Sequence, residues 1–172
     1  MKVLLAAVPE SLHHLKDLVL GRIGSEQDRF VCFCHVEETV MPIGAPARRQ
    51  LLSWVEEYLL TVKSQAGYGA WMAGDLLGEH WPSLREAVPV LARAILEGRY
   101  AAGRLGALHG SAHAIVRLSS GGGWRFLFLR DQLLNALRTV ADKDRSSRAR
   151  ATARDVLDGT HACMATLRTP GT

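Results

Sequence analysis

From Ala47 to Leu157 apolar residues recur at every third or fourth position with few interruptions. Positions i, i+3, i+4 and i+7 fall on one face of an α-helix, so this period commits most of the chain to amphipathic helices. The spacing predicts helices near residues 47–63, 66–81, 83–97, 99–118, 124–141 and 144–158. Leu51, Trp54, Val55, Tyr58, Leu59 and Val62 form the first stripe, and Tyr68, Trp71, Met72, Leu76 and Leu77 face inward on the second. Leu84, Val88, Leu91 and Ile95 mark the third; Ala102, Leu105, Leu108, Ala112, Ile115 and Val116 the fourth. Phe126, Leu129, Leu133, Leu137 and Val140 mark the fifth, and Ala149, Ala153, Val156 and Leu157 the sixth.

Helix punctuation agrees with these bounds. Pro82 suits the first turn of the third helix, while Pro89 inside it should kink or split it. Gly98 reads as a stop, Asp144 as the N-cap of the sixth helix and Gly159 as its end, with residues 160–168 adding one short turn or helix. Ser119 to Gly123 reads as a loop, and Thr169 to Thr172 as a frayed tail.

The N-terminal third is less regular. Leu12, Leu15, Leu18, Val19 and Ile23 support a helix over Ser11–Ile23. Phe30 to Val36 is rich in β-branched and aromatic residues and could be a strand. Ser25 and Asp28 could equally start a second helix there. The fold class expected is therefore mainly α: a short α-solenoid or a bundle of antiparallel helix pairs, with room for a small strand pair in residues 1–40. A single domain is expected, with residues 1–46 as an N-terminal cap and 47–168 as helical repeats.

Composition narrows the class further. The three cysteines, Cys32, Cys34 and Cys163, are odd in number and badly spaced for a disulfide framework, which points to a reducing compartment and a cytoplasmic protein. The apolar start, Met1 to Val8, is too short for a membrane span and lacks a basic leader, so neither a membrane partner nor a signal peptide is expected. Charge is asymmetric. Residues 1–98 carry 9 Lys+Arg against 12 Asp+Glu (−3), and residues 99–172 carry 12 against 5 (+7).

Three stretches share an Ala/Gly-rich local pattern: Trp71 to Gly78, Tyr100 to Leu108 and Arg148 to Leu157. With Asp142-Lys143-Asp144-Arg145 as an inter-helix turn, the region of about residues 64–160 resembles the HEAT-repeat family. That resemblance implies stacked helical hairpins that serve as a binding scaffold, and no chemistry of its own.

Several constellations could carry chemistry. His109 and His113 stand at i and i+4, which places two imidazoles on one helix face. Two ligands do not complete a site, and the Glu of the zinc-protease motif is missing. Cys32, Cys34 and His35 lack a second ligand pair and read as small buried groups. No metal and no cofactor is therefore expected, and no nucleophile motif or phosphate-binding loop is present. Trp71 and Asp75, also i and i+4, look like the aromatic–carboxylate arrangement of HEAT-like alkylpurine DNA glycosylases, although those enzymes need more repeats than this chain supplies. Trp71 otherwise belongs to a core stripe, and Asp75 is free to pair with Arg104.

The strongest polar feature is the arginine series Arg138, Arg145, Arg148, Arg150 and Arg154. Guanidinium forks bind carboxylates and phosphates bidentately. The expectation is a non-enzymatic domain that uses these residues to bind a protein partner with an acidic surface. By analogy of fold, bacterial immunity or antitoxin proteins are of this kind. The alternative is a nucleic-acid-binding or DNA-repair module using the same basic half.

Overall fold

Ser25 and Asp28 decide the N-terminal ambiguity. The Ser25 backbone N–H donates to Asp28 Oδ2 (2.6 Å) and the Asp28 N–H donates to Ser25 Oγ (3.2 Å). This reciprocal box satisfies donors that a helix start leaves open. The Ser25 backbone N–H, with help from its hydroxyl, also holds the Asp28 carboxyl below its ordinary pKa. A helix follows, Glu26–Thr39, across the segment whose composition would also suit a strand. β-propensity is a preference for a half-buried pleated surface rather than a backbone rule, and no strand among the described residues provides one.

The computed structural model describes residues 9–39, 44–63, 68–120 and 126–168. These form eight helices: α1 (Pro9–Val19), α2 (Glu26–Thr39), α3 (Ala45–Thr61), α4 (Tyr68–Asp75), α5 (Leu84–Glu97), α6 (Ala101–Ser120), α7 (Leu127–Lys143) and α8 (Ser147–Arg168). A π-helical turn, Leu76–His80, extends α4. No strand occurs among the described residues, so the strand pair allowed for in residues 1–40 is absent from residues 9–39. Ser119 and Ser120, expected in a loop, are the last residues of α6; the rest of that loop, Gly121–Gly123, the tail from Thr169 and the Met1–Val8 segment lie outside the described residues.

One cluster of buried apolar side chains runs from Val19 on α1 to Ala153 on α8. Phe33 and Val36 of α2 join Leu51, Trp54, Val55, Tyr58 and Leu59 of α3, and the Phe33 and Tyr58 rings meet at 5.7 Å. α5 contributes Val88, Leu91 and Ile95, and α7 contributes Leu133 and Leu137. α6 lies in the middle and packs on α3, α4, α5, α7 and α8. The Arg99 N–H donates to Leu60 O (2.9 Å), which ties the start of α6 to the end of α3.

Four local expectations need correction. α5 is not split at Pro89, whose ring lies on the exposed face, so the lost hydrogen bond is not compounded by a core clash. Asp144 closes α7 instead of opening α8: its N–H bonds Val140 O, while Oδ1 accepts from the Ser146 N–H at 2.7 Å. Ser146 Oγ is what caps α8, accepting from the N–H of its third residue, Ala149 (3.2 Å). Gly159 does not end α8, which continues to Arg168. Finally, Tyr68 and Trp71 do not face inward, being 59% and 48% exposed; the buried face of α4 is made by Gly69, Ala70, Ala73 and Gly74.

Candidate metal centre between α4 and α6

The buried face of α4 is made of small residues because α4 touches α6 backbone to backbone. A Cβ on Gly74 would overlap the Gly106 carbonyl oxygen, and one on Gly78 that of Gly110. In return, a Cβ on Gly106 would overlap Ala70 O, and one on Gly110 would overlap Gly74 O. Four glycines at four-residue spacing thus form a seam along which the two helices run in the same sense. Small residues at this spacing permit a close approach that larger side chains would forbid.

The polar residues beside this seam are brought together by it. Asp75 follows Gly74; His109 precedes Gly110, and His113 stands one turn further along α6. Asp75 Oδ1 lies 2.9 Å from Nε2 of His109 and 3.5 Å from Nε2 of His113. The donor atoms of the three residues all lie within 4.8 Å of one another. The two imidazole rings are 5.1 Å apart and nearly perpendicular, at 76°. On the outer side, the Trp71 ring meets the His109 ring edge-on at 4.7 Å.

The geometry of Asp75 Oδ1 is informative. This oxygen is buried and accepts no hydrogen bond, although a ring nitrogen stands at hydrogen-bonding distance. The nitrogen is near but not aligned. Two donors that converge side by side on a third point have this relationship, whereas an Asp–His hydrogen bond is close to linear. Donors bound to a tetrahedral zinc ion at about 2.0–2.1 Å lie roughly 3.3 Å apart, and the observed separations of 2.9 and 3.5 Å bracket that spacing.

Glu79 adds an outer partner. Its Oε2 lies 3.5 Å from Nδ1 of His113, the ring nitrogen not facing Asp75, and 3.7 Å from Nε2 of His80. A carboxylate on the far nitrogen of a ligating histidine fixes its tautomer and ring orientation and makes the other nitrogen a better donor.

The π-helical turn begins directly after Asp75 and carries Glu79; such turns are frequent at functional sites. Arg117, one turn beyond His113, secures it. Its Nη1 donates to Gly78 O (2.9 Å) and its Nη2 to Trp81 O (3.0 Å). Partial burial holds the Arg117 guanidinium below its ordinary pKa, partly offset by Glu79, and it remains cationic at neutral pH. His109, His113 and Arg117 therefore form one polar edge of α6 against the end of α4.

Several expectations change in this light. The two pairs read separately from the sequence, His109/His113 and Trp71/Asp75, form one cluster. Asp75 does not pair with Arg104, whose Nε lies 3.1 Å from Asp144 Oδ2. Cys32, by contrast, is buried as expected: it is only 5% exposed on α2, its thiol pushed up to about 11 by burial. Asp75, His109 and His113 make the one group of three convergent donors among the described residues.

Three of the five arginines make hydrogen bonds within the chain. Arg138 donates to Asn135 Oδ1 (3.2 Å), Arg150 to the carbonyl of Asp144 (2.6 Å) and Arg154 to that of Ala141 (3.1 Å). The last two close off the C-terminal end of α7. The Arg145 and Arg148 side chains are exposed and have no hydrogen-bond or ion-pair partner among the described residues, while the Arg145 carbonyl accepts from Arg150 Nη1 (3.4 Å). No helix among the described residues is long and apolar enough to cross a membrane.

Glu79 and Arg117 were not singled out from the sequence, and neither was the link between Asp75 and the histidines. The repeated Gly-x-x-x-Gly at Gly74/Gly78 and Gly106/Gly110 was the available signal that these two helices meet. Comparison with known proteins adds no relative to this picture: no family model, curated protein or solved structure matches the chain.

Proposed function

We propose that this domain binds a divalent transition-metal ion through Asp75, His109 and His113, and that its function depends on that ion. One observation carries the reading: the nitrogens of two histidines converge on a buried carboxylate oxygen that accepts no hydrogen bond from either. One carboxylate and two imidazoles suit zinc, and equally ferrous iron. A bare Asp–His ion pair needs only one imidazole, and two imidazolium rings at 5.1 Å would repel each other. An ion supplies the positive charge that lets both rings stay neutral at one carboxylate.

Elemental analysis of protein purified without chelator tests this reading. One transition-metal ion per chain is expected, with His109→Ala and His113→Ala both losing it. Metal-free native protein that cannot be reloaded by dialysis against zinc, cobalt or ferrous iron contradicts it.

A second reading is a docking role toward an acidic protein surface, supported by the exposed and uncommitted Arg145 and Arg148. It is compatible with the metal centre, since these residues lie at the start of α8 and the donors lie on α4 and α6.

A further inference from the structure

We propose that the ion held by Asp75, His109 and His113 keeps a coordination position open, and takes there a monoanionic oxygen donor whose apolar part packs on the Trp71 ring. This rests on the metal reading above and adds the ligand class.

Three features support it. First, only three donors converge among the described residues. Closed structural zinc sites use four protein ligands, whereas three leave a position for water or an exchangeable ligand. Glu79, the nearest further carboxylate, is engaged on the far nitrogen of His113, so it does not fill that position.

Second, the histidine donors are reachable. The His109 and His113 side chains are 33% and 38% exposed, so their side of the cluster faces solvent while Asp75 Oδ1 is buried and the glycine seam closes the other side.

Third, an apolar wall stands beside that open side. Tyr68, Trp71 and Asp75 occupy positions i, i+3 and i+7 of one α4 face, and Trp71 is in ring contact with His109. Both aromatics are largely exposed, although every other described tryptophan is buried. An indole left half in water beside a metal centre offers a flat surface to a ligand. Charge sets the rest: a divalent ion with one carboxylate and two neutral imidazoles has a single net positive charge, which one carboxylate or hydroxamate neutralises.

The test uses the full chain loaded with cobalt(II), whose visible absorption bands report its coordination sphere. Acetohydroxamate and benzohydroxamate are titrated in separately. Both should perturb the bands, and benzohydroxamate should bind about 2- to 10-fold more tightly, the factor an aromatic ring contact provides. Trp71→Ala should reduce that advantage to below about twofold. Trp71→Leu, which keeps apolar area without a ring, should do the same. Cobalt bands that appear but respond to neither hydroxamate contradict the open position and leave the metal reading standing. Equal affinity for the two ligands, or an advantage unchanged in both Trp71 variants, removes Trp71 from the proposal. Absence of cobalt binding overturns both readings together.

Discussion

Asp75 Oδ1 and His109 Nε2 are 2.9 Å apart but are not hydrogen-bonded, and the oxygen is buried. Leaving a buried carboxylate oxygen unsatisfied costs more than about 1–3 kcal/mol, the range for a neutral polar group. A metal ion held by both atoms would satisfy this oxygen, and the second histidine and the outer carboxylate are consistent with one. The consequences can be tested one residue at a time.

Glu79→Gln tests the outer partner. The amide keeps the shape of the side chain but removes its charge, so His113 loses the carboxylate that orients its ring. Zinc affinity should fall by about 10- to 100-fold, with little change in thermal stability of the metal-free protein, because Glu79 is exposed. Unchanged affinity by calorimetric titration would remove Glu79 from the site.

The glycine seam gives a prediction of opposite signs for one substitution. Gly→Ala in a helix ordinarily stabilises by about 1 kcal/mol. At Gly110 the new methyl meets the Gly74 carbonyl, which no rotamer change can relieve. Gly110→Ala should therefore destabilise by about 2 kcal/mol or more, and it should weaken metal binding by pushing α4 away from α6. At Gly159, in α8, nothing lies within 4 Å, and Gly159→Ala should stabilise by roughly 0.5–1 kcal/mol. Urea unfolding of the two variants checks both signs.

Much of this architecture is legible in the sequence. The helical period places α3 to α7 and the start of α8 to within a few residues, because each stripe has to be buried somewhere. The failures have physical causes. Tyr68 and Trp71 were assigned to the core from their apolar character, whereas α4 packs through its glycines and leaves its aromatics outside. Asp144 looked like an N-cap, but Ser146 stood closer to the first free amides of α8. The metal donors were visible only as two isolated pairs. Their union depends on which helices touch, and a period fixes the face of a helix without naming its partner.

Cys32 predicts a pH dependence. Its thiol is neutral in the native state up to about pH 11, whereas in the unfolded chain it ionises near its ordinary value of 9.0. Above pH 9 the unfolded state therefore holds fewer protons than the native state, and stability falls as pH rises. The contribution is fully present below pH 9 and is lost between about pH 9 and 11. Chemical unfolding across this range should show a shallower decline for Cys32→Ala than for the parent protein. Identical slopes would show that the thiol is not held neutral by burial.

Arg145 and Arg148 separate a protein partner from a nucleic-acid one. A domain that binds DNA or RNA as its main function should do so below micromolar concentration at about 150 mM salt, with a steep log-linear salt dependence. The expected result is weak, salt-sensitive binding in mobility-shift assays. Submicromolar binding lost in Arg145→Glu/Arg148→Glu would favour the nucleic-acid reading of the basic half.

Calorimetric titration of metal-free protein with zinc, compared with Asp75→Asn, His109→Ala and His113→Ala, decides whether the three residues form a metal centre. One site per chain is expected, with each substitution weakening binding by at least about 100-fold while the helical circular dichroism is unchanged. Absence of saturable zinc binding by the folded parent, or binding that survives all three substitutions, would contradict it.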